Sequence, residues 1–136
     1  MTSWELTHHP GELGLVQLPA HADLPRWALD GETGAPLWCV ARTADELSII
    51  CSYDALPGSV SGSGPYVAFS VDGPLDHSLV GVLAGLLPPL AEAGVPVMAQ
   101  STFDTDWILV PSPHADTAAQ VWTAAGHRVD LAEEEE

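Results

Sequence analysis

A run of glycine, serine and proline, Leu56–Pro65 (LPGSVSGSGP), interrupts the chain close to its middle. Residues of this kind favour turns over regular pairing, so the segments on either side fold as halves of similar size. With 136 residues in all, the chain has room for one compact domain or two small halves sharing a core. Hydrophobic residues at 46% supply material for that core and argue against wholesale disorder. We place an N-terminal half at residues 1–60 and a C-terminal half at residues 61–131. Ala132–Glu136 (AEEEE) is a like-charge block without a core residue, which predicts a disordered, solvated tail.

The C-terminal half has the clearer pattern. Tyr66–Val71 (YVAFSV) alternates around Val67, Phe69 and Val71, as a strand with one buried face does. Ser78–Ala93 carries Leu79, Val82, Leu83, Leu86, Leu87 and Leu90 at helical spacing, with Asp76 or Ser78 as N-cap and Gly94 as the stop. Pro88-Pro89 inside that run predicts a kink or a restart, because proline removes a donor and clashes one turn back. Val95–Gln100 and Asp106–Val110 follow as strands, then a helix over His114–Ala125 and a last strand over His127–Leu131. The order is β-α-β-β-α-β, the ferredoxin-like unit.

The N-terminal half is a blurred copy. Leu13–Leu18, Leu37–Ala41 and Leu47–Ser52 have strand character, and His21–Leu29 is a short helical segment. A shift of 59 lays Thr43 on Thr102, Asp45 on Asp104 and Ile49 on Ile108, each at the same point of a strand–turn–strand. The expected fold class is therefore α+β: two ferredoxin-like halves with antiparallel sheets and helices on one face.

Charge narrows the function classes. Three arginines and lysines stand against 19 aspartates and glutamates, a formal charge of −16. Attraction to phosphate backbones or anionic lipid needs the opposite sign, which excludes nucleic-acid and membrane-surface partners. No apolar run approaches ~20 residues, and the first ten residues lack a basic and an apolar region of signal-peptide type, so the expected location is the cytoplasm. Cys39 and Cys51 form no C-x-x-C and sit in apolar runs, as buried thiols do. The six histidines show no H-x-x-x-H or H-E-x-x-H spacing, and no P-loop or G-x-S-x-G elbow occurs. Neither a metal nor a cofactor is expected.

Two segments carry chemistry. Val71–Leu79 (VDGPLDHSL) has a sharp bend at Gly73 before a helix whose first N–H groups lack partners and can take an anion. Asp72 and Asp76 beside it prefer ammonium or guanidinium, so this mouth could grip a zwitterion; taken alone, these nine residues favour the plainer reading that Asp76 caps the helix and Gly73 makes the turn. Ser101–Asp106 (STFDTD) is a polar run between apolar strands, with Asp104 and Asp106 two residues apart and able to share a strand face. Such a pair can split its pKa values as acid and base, accept hydrogen bonds from a cation, or decorate a turn. Arg42, one step before Thr43, is a candidate for a ligand carboxylate.

The segment Gly73–Pro111 (GPLDHSLVGVLAGLLPPLAEAGVPVMAQSTFDTDWILVP) resembles the ACT-domain family, and more narrowly the type found in the CASTOR arginine sensors and their small bacterial relatives. The S-T-F-x-T-D-x-I-L-V string, together with the preceding G-x-x-D-x-S-L turn, carries the likeness. The resemblance implies a regulatory module that binds a small ligand, commonly an amino acid, at an interface between ACT units. Gly73 would admit the ligand to the backbone, Asp76 would hold its cationic group, Thr102 and Phe103 would line the pocket, and Asp106 would be the second acid. His77 and Ser78 are added as carboxylate contacts, and Asp104 as a neighbouring acid, on physical grounds. The sensors carry a longer acid at the position of Asp76, which leaves the ligand open between arginine and another cationic amino acid.

The expected function is thus a non-enzymatic, amino-acid-binding regulatory module. The apolar load all round the Ser78–Ala93 helix and the open sheet edges imply a homodimer. The alternative is an acidic interaction module that mimics nucleic acid or masks a basic partner, supported by the charge alone. An enzyme using Asp104, Asp106 or Cys51 is disfavoured, since no oriented base or oxyanion donor accompanies them.

Overall fold

The computed structural model describes residues 3–29, 35–60, 62–72 and 81–132. Its strands are β1 (Glu5–Leu18), β2 (Cys39–Arg42), β3 (Leu47–Ser52), β4 (Gly62–Val71), β5 (Met98–Ser101), β6 (Asp106–Pro111) and β7 (Arg128–Leu131). The helices are α1 (Arg26–Leu29), α2 (Val82–Glu92) and α3 (Ala115–Ala124). The mixed α+β composition matches the expected class. By compactness the chain divides into a unit of Gly11–Tyr66 and a unit of Met1–Pro10 with Val67–Glu136.

In the C-terminal unit the strands lie in the order β7-β1-β4-β6-β5. One face is covered by α2 and α3, whose Val82, Leu86, Leu90, Ala115, Ala118 and Trp122 pack on Leu6, Val67, Phe69, Val71, Ile108 and Val110. Alternation along β4 and β6 puts these apolar residues on a single face, as the sequence pattern requires. Trp122 is fully buried and sits edge-on to Phe69, ring centroids 4.9 Å apart. Its indole Nε1 donates to the Leu86 carbonyl at 2.8 Å, so the polar tip of the ring is satisfied within the core.

The sequence reading misses the placement of β1. A bare β-α-β-β-α-β unit would set β7 beside β4, but here the first part of β1 lies between them. Glu5 to His8 pair in parallel with Arg128 to Leu131, and the Asp72 amide donates to the Glu5 carbonyl at 2.7 Å. The segment ELTHHP contributes only Leu6 to the core, so hydrophobic alternation has little to detect there.

Helix α2 runs continuously through Pro88 and Pro89, without the expected restart. Leu86 and Leu90, one turn apart on either side of the prolines, are both fully buried and hold the helix against the sheet. The carbonyls that lose their donors belong to Ala84 and Gly85; Ala84 is exposed and Gly85 half-buried, where water can take the missing partner's place.

In the N-terminal unit the order is β2-β3-β1-β4. Ala28 from α1 packs with Leu47, Ile49 and Cys51 of β3, flanked by Leu18, Trp27, Val40 and Leu56. Where the C-terminal unit has α3, this unit has one 3-10 turn, Tyr53–Ala55. The two hairpins coincide under the 59-residue shift. Cys39 faces Ile50 and Arg42 faces Leu47 in one; Met98 faces Leu109 and Ser101 faces Asp106 in the other. The turns match as well: Thr43 N donates to Glu46 O at 2.8 Å, and Thr102 N to Thr105 O at 2.9 Å.

Candidate ligand site

The candidate site lies where β4 ends in the C-terminal unit. Gly73, Asp76, His77 and Ser78 fall outside the described residues. The other four, Thr102, Phe103, Asp104 and Asp106, lie in the β5–β6 turn and at the start of β6. Thr105, inside that turn, donates its hydroxyl to the carbonyl of Val71, the last residue of β4. One hydrogen bond therefore fixes the polar turn against the strand end that leads into residue 73.

Two carboxylates at this end are held by hydroxyl donors. Ser101 Oγ donates to Asp106 Oδ1 at 2.7 Å, and Thr7 Oγ1 donates to Asp72 Oδ1 at 2.7 Å. These contacts set the orientation of each acid, and each carboxyl group keeps acceptor sites that an ammonium or guanidinium group could use. Asp104 is exposed within the turn rather than in a strand, so strand alternation places only Asp106. Thr102 closes the turn with both its amide and its hydroxyl on the Thr105 carbonyl. Phe103 stands at the tip, 80% exposed.

Thr7, Ser101 and Thr105 escape the sequence reading as site residues. Ser101 and Thr105 lie inside the motif string, where hydroxyls flanking acids are the available signal. Thr7 is 65 positions from Asp72 and comes beside it only because β1 is inserted next to β4. Farther along the same strands, the His9 ring stacks on Trp107 with centroids 4.9 Å apart and bonds Ser70 Oγ at 2.8 Å. His8 stacks instead on Phe69. Burial lowers the pKa of both rings below the ordinary 6.5; His8 lowers His9 further, while Asp72 raises His9 and Asp116 raises His8.

Arg42 is occupied: its guanidinium donates to the carbonyls of Ala20 and, at 2.8 Å, Ala22. Cys39 and Cys51 are free thiols, and burial raises the pKa of each. Since Cys39 faces Ile50 across the ladder, Cys51 projects from the opposite face of the sheet. Among the described residues, no cluster of His, Cys, Asp and Glu could hold a metal ion, and no helix is long and apolar enough to cross a membrane.

Residues 63–122 match the family model of the ACT domain, and residues 11–59 match a second family model, for an N-terminal domain. The similarity to the ACT domain thus lies in the C-terminal part of the chain. No curated protein matches it. Protein Atu0741 from Agobacterium tumefaciens is 30% identical, with a TM-score of 0.86 over 100% of this chain and 98% of that one. A Vibrio cholerae protein of unknown function, VC0802, described as a possible transport protein, is 18% identical, with a TM-score of 0.71 over 90% of both chains. The ligand-free regulatory subunit of aspartate kinase from Thermus thermophilus is also 18% identical, with a TM-score of 0.55 over 89% of this chain and 94% of that one. The last two likenesses concern the fold.

Proposed function

We propose that this protein is a non-enzymatic regulatory module, built from two ferredoxin-like units, that binds a cationic amino acid where β4 leaves its sheet. The observation that carries the reading is the Thr105 hydroxyl on the Val71 carbonyl, which joins the Ser101–Asp106 turn to the strand leading into Gly73. In this reading Asp76 and Asp106 hold the cationic group, Thr102, Phe103 and Asp104 flank it, and His77 and Ser78 take the carboxylate with the first N–H groups of the following helix. The structural likeness to an aspartate kinase regulatory subunit and the narrower sequence likeness to the arginine sensors support the same assignment.

Regulation follows if binding changes how copies associate, since ligand affinity and association are then linked by one coupling free energy. A groove of ≈ 430 Å³ over the ends of α2 and α3, lined by Pro89, Glu92, Ala93, Val121, Ala124 and Ala125, is where helices of a second copy would pack to form a homodimer. A thermal-shift screen over the twenty amino acids tests the reading. A ligand present at 100 times its Kd stabilises by about 2.7 kcal/mol. One cationic amino acid should raise the melting temperature of the wild type and leave Asp76→Ala and Asp106→Ala unmoved. Silence across the panel, with salt-sensitive capture of a basic protein, would favour the acidic interaction module instead.

A further inference from the structure

The N-terminal unit carries a groove of its own, of ≈ 440 Å³, lined by Leu15, Val16, Gln17, Glu46, Ser48, Gly62 and Ser63. Register explains the convergence. Gln17 on β1 lies opposite Ser48 on β3, so both side chains leave the same face of the sheet, and the Thr43–Glu46 turn sets Glu46 beside them. Gln17 Nε2 donates to Glu46 Oε2 at 3.2 Å, which keeps the carboxylate over the groove with acceptor capacity to spare. Ser63 adds a hydroxyl that shares a hydrogen bond with Tyr66, and Leu15 supplies an apolar wall.

No cationic side chain lines this groove. Arg42 is held by the Ala20 and Ala22 carbonyls and Arg128 by Asp130, and the whole chain has only three basic side chains against 19 acidic ones. A ligand carboxylate entering here would meet Glu46 with nothing to neutralise it, whereas an ammonium would gain it as a partner. We propose that the groove is a second ligand site, selective for short aliphatic amines without a carboxylate. The ammonium sits on Glu46 and donates also to Ser48 or Ser63, and the methylenes lie along Leu15, which shares the face of Gln17 and Ser48. The amino-acid site at the end of β4 is independent of this one, so either can fail alone.

The test is a titration of the full chain with 1,4-diaminobutane, followed through backbone amide shifts. Saturable shifts at Gln17, Glu46, Ser48 and Ser63 are expected, with binding weakened at least tenfold in Glu46→Gln. That variant leaves the turn in place, since Glu46 holds it through its own backbone on Thr43. Ser48→Ala is the second variant, expected to weaken binding severalfold in a folded chain. Lysine, which adds a carboxylate to a similar amine, is expected to bind at least tenfold more weakly than the diamine. Shifts spread over acidic residues throughout the chain and unchanged in Glu46→Gln would reduce the effect to counter-ion attraction and overturn the proposal. Lysine binding as tightly as the diamine at these amides would overturn the selectivity.

Discussion

His9 shows how one side chain answers to several neighbours. Its ring is stacked on Trp107 and bonded to Ser70, and burial is the main cause of its lowered pKa, as it is for His8. With the folded values below the ordinary 6.5, the unfolded chain binds more protons in mildly acidic solution. The stability these rings contribute is therefore complete above about pH 6.5 and is lost as pH falls toward the folded values. Thermal unfolding measured from pH 7.5 to 5 should show a falling melting temperature. His9→Gln, which keeps a hydrogen-bonding group for Ser70, should flatten part of that fall, and an unchanged slope would count against this role. Trp122 works differently: its ring joins helix to sheet by burial, and its one polar atom is satisfied by the Leu86 carbonyl.

At the scale of elements, α2 is the test of what tertiary packing can override. Proline within a helix costs ~3 kcal/mol relative to alanine, yet α2 continues because Leu86 and Leu90 are fully buried. Pro88 is exposed, so Pro88→Ala should restore one helical hydrogen bond without disturbing the core and raise the melting temperature, the gain being at most ~3 kcal/mol. An unchanged or lower melting temperature in that variant would mean the prolines fit a local geometry that alanine does not. The elements most legible in the sequence are those with a strong period. The assigned bounds of β3 are those expected, α3 and β7 fall within a residue of theirs, and the alternation of Val67, Phe69 and Val71 does mark the buried face of β4. The first part of β1 was not legible, because its partners are fixed by a strand at the far end of the chain and its own side chains are mostly polar. The candidate site divides in the same way. The Ser101–Asp106 turn could be read as a string, while Thr7 beside Asp72 is a product of strand order.

At the scale of the molecule, β1 makes the C-terminal unit depend on residues outside its match to the ACT-domain model. The match at 63–122 includes neither β1 nor β7, and β7 pairs with β1. A fragment of residues 62–136 would leave β7 without its parallel partner and Leu6 missing from the core. It should lack a cooperative unfolding transition, and adding a peptide of residues 3–12 should restore one. Cooperative folding of the fragment alone would mean that β7 can close directly on β4. The central claim concerns ligand recognition at the end of β4, and amide-shift mapping of the intact protein with the cationic amino acid that stabilises it tests that claim most directly. Shifts should concentrate at residues 72–80 and 101–106 and vanish in Asp106→Ala. Changes confined to other parts of the chain, or persisting undiminished in that variant, would contradict it.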